Sequence, residues 1–192
     1  VGIGPVVFPQ FLDRPQLVIR DGSNRLKVDE FHRWGGTVQD DFLRVWGENL
    51  AHLLGTSRVL VFPSESRMPL DFRITAEVIG FEGRTDDAAV LKVRWAVMDD
   101  RLERALAVRE DAYRCPVRPP ASVPPPGTSA PAASGQEGAP DGSATATGDA
   151  EAVVAAMSRC LGEFSRDVAS VVASLPKPQP EPVPPGVTVS PL

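Results

Sequence analysis

His32 and His52 are the only histidines and Cys115 and Cys160 the only cysteines, so imidazole and thiol chemistry must draw on these four positions. Neither histidine stands at ligand spacing from a cysteine, an aspartate or the other histidine. Glu48 and His52 are four residues apart on an amphipathic stretch, where an exposed helix pair explains them better than a catalytic dyad. Asp40 and Asp41 fall in the first turn of the same stretch, where carboxylates suit the helix dipole. Gly2-Ile3-Gly4-Pro5 cannot cradle a phosphate, because proline lacks the needed N–H and no helix follows. Ser64-Glu65-Ser66 reads as a polar loop with no base to activate a nucleophile. Trp46 and Trp95 lie on apolar stripes and are assigned to the core. Trp34, just before Gly35-Gly36, stands outside them and is a candidate contact residue.

The two cysteines are too few for a disulfide scaffold. A Cys115–Cys160 bridge would tie the second helix to the sheet. Without a way to test the geometry, the sequence reading prefers two unpaired small apolar side chains. No cofactor and no metal follow from any of these residues.

The elements that would carry them can be read from periodicity. Val1–Phe8 is a β-branched strand closed by Pro9. Residues 9–36 read as irregular, with a short extended run at 17–20 and a turn at 21–24. Thr37 caps a helix over 37–54, with Val38, Phe42, Val45, Trp46, Leu50, Leu53 and Leu54 on its apolar stripe, and Gly55 supplies its left-handed stop. Residues 58–62 form a short apolar run that predicts a central strand. Alternation over 71–84, 89–97 and 104–114 predicts an antiparallel meander, with a bulge at Gly80. Val154, Met157, Leu161, Phe164, Val168, Val171, Val172 and Leu175 predict a second helix over 149–175. The sum is an α+β two-layer sandwich: a mostly antiparallel sheet with two helices packed on one face.

Proline sets the boundaries. Of the 20 prolines, eight fall in 115–150 and seven in 176–192. The expected domain is 1–114 with 149–175, joined by a Pro/Ala/Gly/Ser linker at 115–148 and followed by a proline-rich tail at 176–192. The net charge is −5, and residues 1–114 hold 16 Lys and Arg against 18 Asp and Glu. That balance argues against nucleic-acid binding. The chain opens Val1-Gly2-Ile3-Gly4 with no Met, as a processed product would.

A further set of residues points to a family. Phe11-Leu12-Asp13-Arg14-Pro15-Gln16 is followed by Gly22-Ser23-Asn24-Arg25-Leu26 and Glu30-Phe31-His32-Arg33-Trp34, then by Glu48-Asn49-Leu50-Ala51 and Leu53-Leu54-Gly55-Thr56. In order and spacing this set resembles the PqiC/YmbA lipoproteins, the ABC-type transport auxiliary lipoprotein family. The likeness runs over 1–114 and more loosely over 151–172. It implies a non-enzymatic accessory of lipid transport, held in the periplasm by an N-terminal lipid anchor, most naturally at the outer membrane. It also implies an MCE-family partner and self-association into a homo-oligomer such as a ring. Asp13, Arg14, Gln16, Asn24 and Trp34 are the matches placed outside regular elements, and they are the expected partner or subunit contacts. Each also has a structural reading, such as a turn for Asn24 or local pairing for Arg14. A carrier that holds acyl chains between sheet and helices is the competing function.

Overall fold

The structure of the protein is a computed structural model that describes residues 1–12, 14–21, 25–64, 68–99, 101–118 and 142–176. Along the chain the elements are β1 (Gly2–Val7), β2 (Gln16–Asp21), β3 (Arg25–Arg33), α1 (Val38–Leu53), β4 (Leu60–Val61), β5 (Phe72–Gly83), β6 (Ala88–Asp99), β7 (Ala105–Pro116) and α2 (Gly142–Ser174). The predicted α+β class is what forms: one sheet with both helices on one face.

The meander β5–β6–β7 is the spine of the sheet. Its strands pair antiparallel, with Val78↔Val93 and Val93↔Asp111 in register, and the ladder slips between Val78 and Gly80 where the bulge was expected. Inward positions of β5 and β6 are apolar, and Ile74, Leu91, Val93 and Val97 have no exposed surface. The other edge of β5 is shared end to end. β1 runs parallel to its first half and β2 meets its last residue, Ile19 against Gly83.

Thr37 caps α1 by accepting the Asp40 N–H at 3.1 Å, and Gly55, at φ 61°, ends it. Phe164 of α2 then joins the layers. Its ring centroid is 5.0 Å from Trp46 of α1, 6.1 Å from Trp95 of β6 and 5.9 Å from Tyr113 of β7. Beside it, Asn49 donates to the buried Ser165 hydroxyl at 3.2 Å, and Ser165 donates to the Leu161 carbonyl at 2.6 Å. This short polar link fixes one helix against the other.

Four expectations need correction. Residues 9–36 are not mainly irregular, because β2 and β3 form an antiparallel hairpin at the sheet edge. Arg25–Arg33 alternates only over Arg25-Leu26-Lys27-Val28-Asp29 and is otherwise largely polar, because an edge strand needs no two-sided apolar cover, so its signal is short. The strand expected at 58–62 is only Leu60–Val61, and it pairs with β1 alone as an outer strand. β7 reaches Pro116 and α2 begins at Gly142, so both intrude on the expected linker. Finally, Cys115 and Cys160 are joined as a disulfide, with Cα atoms 5.7 Å apart, where unpaired thiols were preferred. The rest of the linker and the tail lie largely outside the described residues.

Two predictions follow from how α2 is held. A Cβ on Gly83 would stand 2.5 Å from Val153 Cγ1, so α2 sits directly on this glycine. Gly83→Ala is expected to lower stability by about 1–3 kcal/mol. Adding Val153→Ala should recover part of that loss in the same urea titration, and strictly additive losses would refute the close approach. The disulfide closes a sequence separation of 45 residues. On the chain-entropy model, replacing both cysteines by serine should cost about 4 kcal/mol, read as a fall in the urea midpoint.

Candidate docking surface

Arg14, Gln16 and Trp34 are brought together by the start of the β2–β3 hairpin. Pro9 stops β1, and the chain turns with the Leu12 N–H donating to the Pro9 carbonyl at 2.9 Å. Leu12 is buried and anchors the loop, while Phe11 keeps 36% of its surface exposed. The Arg14 N–H donates to the Leu12 carbonyl at 2.8 Å. Gln16 then opens β2 opposite Arg33, one position past where the sequence placed it outside regular structure. The Trp34 N–H donates to the Pro15 carbonyl at 2.7 Å, which lays the Arg33–Trp34 backbone against Arg14–Pro15. Trp34 is half-buried against the core margin. Asp13 and Asn24 lie outside the described residues. Asp21 and Arg25, on either side of Asn24 in the sequence, pair at the far end of the hairpin from Arg14.

The pairing register changes abruptly here, from Gln16↔Arg33 to Leu17↔Asp29. Three residues of β3 therefore face no partner on β2. Asp29 closes this bulge with two contacts: it accepts the His32 N–H at 3.2 Å, and its other oxygen lies 2.8 Å from His32 Nδ1. Ligand or catalytic spacing alone does not single out His32. The i,i+3 relation to Asp29 was visible, but its meaning depends on a bulge that only pairing reveals. Without that pin the strand would have no reason to return Trp34 to Pro15.

The electrostatics of the cluster are one-sided. Arg14 Nε is enclosed and finds no acceptor. Arg33 is exposed and has no ion pair among the described residues. The open face of the sheet differs, because several of its charges are paired. On the open face of the sheet Arg94 bridges Glu77 at 3.2 Å and Glu110 at 2.9 Å, and Lys92 reaches Glu110 at 3.0 Å. Lys92 and then Arg94 hold the Glu110 carboxyl below its ordinary range. This exposed ladder borders a shallow depression of about 260 Å³ lined by Pro5, Val7, Thr75, Ala96 and Val108.

Other polar groups are fixed in structural pairs. Glu48 pairs with Arg44 at 3.2 Å, and His52 is exposed in the last turn of α1. Trp95 Nε1 donates to Asp111 at 2.8 Å, and the Tyr113 hydroxyl donates to Asp167 at 2.9 Å. Burial, then the hydrogen bond to Asp167, raises the Tyr113 pKa well above its ordinary value. Among the described residues no group of three or more His, Cys, Asp or Glu could hold a metal ion. No described helix is long and apolar enough to cross a membrane.

The model of the ABC-type transport auxiliary lipoprotein component family matches residues 1–122, nearly two thirds of the chain and all of the hairpin cluster. The protein belongs to that family. Membership makes it an auxiliary component of ABC-type transport, in a family of lipoproteins and not of enzymes. Solved structures share its fold. A DUF330-family protein from Xanthomonas campestris superposes with a TM-score of 0.60 at 13% identity, over 89% of this chain and 81% of that one. The crystal structure of an uncharacterized protein superposes with the same score and identity, over 88% of this chain and 89% of that one. No curated protein matches the chain.

Two tests address these pairs. Asp29→Ala should cost about 1–2 kcal/mol and loosen Trp34. Because Trp46 and Trp95 are buried, acrylamide quenching reads Trp34 almost alone, and unchanged quenching would dissociate the pin from the tryptophan. Tyr113 gives a pH dependence with a definite sign. Its folded pKa lies above the ordinary value near 10, so the fold favours the neutral phenol. The stability this provides is complete below about pH 10 and declines as pH rises beyond it, because the unfolded chain ionises first. Tyr113→Phe should flatten that alkaline decline relative to wild type.

Proposed function

We propose that the protein is a non-enzymatic periplasmic component of an MCE/Pqi-type intermembrane lipid-transport system, working by assembly and not by turnover. In this reading an N-terminal lipid anchor holds it in the envelope, at the outer membrane. The hairpin cluster docks it onto an MCE-family protein or onto neighbouring copies of itself in a closed oligomer, and so helps maintain the outer membrane.

The observation that carries the proposal is the convergence of Arg14, Gln16 and Trp34 on one corner of the fold, with an aromatic side chain beside cations that have no ion pair among the described residues. Aromatic and arginine side chains are the usual energetic centres of protein interfaces. The apolar faces of both helices are already consumed in covering the sheet. The rings of Phe42, Trp46, Phe81, Trp95 and Phe164, with neighbouring centroids 5.0–6.3 Å apart, occupy the space where a carrier would hold acyl chains. The disulfide supports an oxidising compartment such as the periplasm.

The test is assembly itself. Arg14→Ala with Trp34→Ala should lower the mass seen by analytical ultracentrifugation, or abolish crosslinking to a co-expressed MCE-family protein, while circular dichroism stays that of the folded chain. A wild-type chain that stays monomeric at high concentration and crosslinks to no such protein would refute the reading.

A further inference from the structure

The docking reading leaves open what chemistry the partner presents, and the charge distribution answers it. The protein carries a net charge of −5, yet the hairpin side runs the other way. Arg25, Lys27 and Arg33 are exposed along β3 and make no ion pair among the described residues. Arg14 joins them at the near end. Its Nε is enclosed and without an acceptor, and no described residue bonds to its remaining nitrogens. The other arginine of the hairpin, Arg20, is bound back to Glu82 at 2.7 Å, and Asp29 is engaged by His32. Among the described residues four cations therefore have no ion pair along one strand and its entry loop, with Phe11 in the loop before Arg14 and Trp34 next to Arg33.

We infer that this face receives an acidic segment of a partner protein, with carboxylates on Arg14, Arg33, Lys27 and Arg25 and one apolar side chain on Phe11 and Trp34. The inference rests on the docking role proposed above. Arg14 is suited to the first contact, because its enclosed Nε end fixes the guanidinium before binding and little rotamer freedom is left to lose. Phe11 and Trp34 both fall at the Arg14–Arg33 end of the row and not along it, which favours a segment in a fixed register over a uniform anionic surface. Strand addition contributes little, since the charged side chains of β3 guard its open edge.

Three probes separate the possibilities on the full chain: an acetylated glutamate-rich peptide with one central phenylalanine, its glutamine counterpart, and vesicles rich in phosphatidylglycerol. The glutamate peptide should bind in a salt-sensitive way and protect Trp34 from acrylamide, and the glutamine peptide should not. Arg14→Gln with Arg33→Gln should weaken binding about tenfold or more, as loss of charge-assisted bonds requires. Arg94→Gln, on the open sheet face, should leave it unchanged. If the double variant does not fold, exposed Arg33→Gln alone must still weaken binding. Equal binding of the two peptides, or indifference to Arg33, overturns the inference. Vesicles that sediment the chain with the same dependence on Arg14 and Arg33 overturn it in favour of a membrane surface. The peptide result stands apart from the assembly test: a cationic face that binds the peptide in a chain that never assembles would sink the docking role alone.

Discussion

Everything in this fold depends on α2 lying down on the meander. A three-stranded sheet with one apolar face is unstable until that face is covered, and α1 packs on β1 and β4 and meets the meander at Phe81 of β5 through Phe42. The remaining cover arrives from the far end of the sequence. Val153, Met157, Cys160, Leu161, Phe164, Val168 and Val172 of α2 are all buried. Phe164 alone touches rings on α1, β6 and β7, so no layer is complete before it arrives. Two features make the docking definite. Gly83 removes the side chain that would hold the helix off the sheet, and the Cys115–Cys160 bond ties the middle of the helix to the end of β7.

That dependence explains which parts of the molecule could be read from sequence. Both helices and the meander bury one face, so their apolar residues repeat with the period of the element, and Phe42-Trp46-Leu50 or Leu91-Val93-Trp95 announce themselves. The β2–β3 hairpin was partly hidden because β3 is an edge strand. Its sequence, with Arg25, Lys27, Asp29, His32 and Arg33, answers to solvent and to keeping other strands off an open edge more than to a core. β4 failed for the opposite reason: its run is apolar enough for a central strand, yet only two residues of it pair. The candidate contacts Arg14, Gln16 and Trp34 were legible through family resemblance. Their convergence was not, because it needs a three-residue slip in register that no periodicity encodes.

The same constraint shapes where the molecule can meet another. A sheet of this size offers open backbone at its outer strands, and each is protected. β7 carries Arg109, Glu110, Asp111 and Arg114, β3 carries Arg25, Lys27, Asp29 and Arg33, and β4 is too short to template a partner strand. The helices have committed their apolar stripes inward. In the docking role proposed above, recognition would fall to side chains at a loop whose backbone is fixed by contacts that owe nothing to a partner. The Leu12 anchor, the Trp34–Pro15 hydrogen bond and the Asp29–His32 pin are such contacts. A loop held this way pays little ordering entropy on binding, whereas a loop of the irregular kind first read from 9–36 would lose much of its interaction energy to that cost. The bulge in β3 is thus the feature that turns an edge hairpin into a presentable surface. It spends three residues of pairing to place an aromatic ring and unmatched cations on one rigid corner.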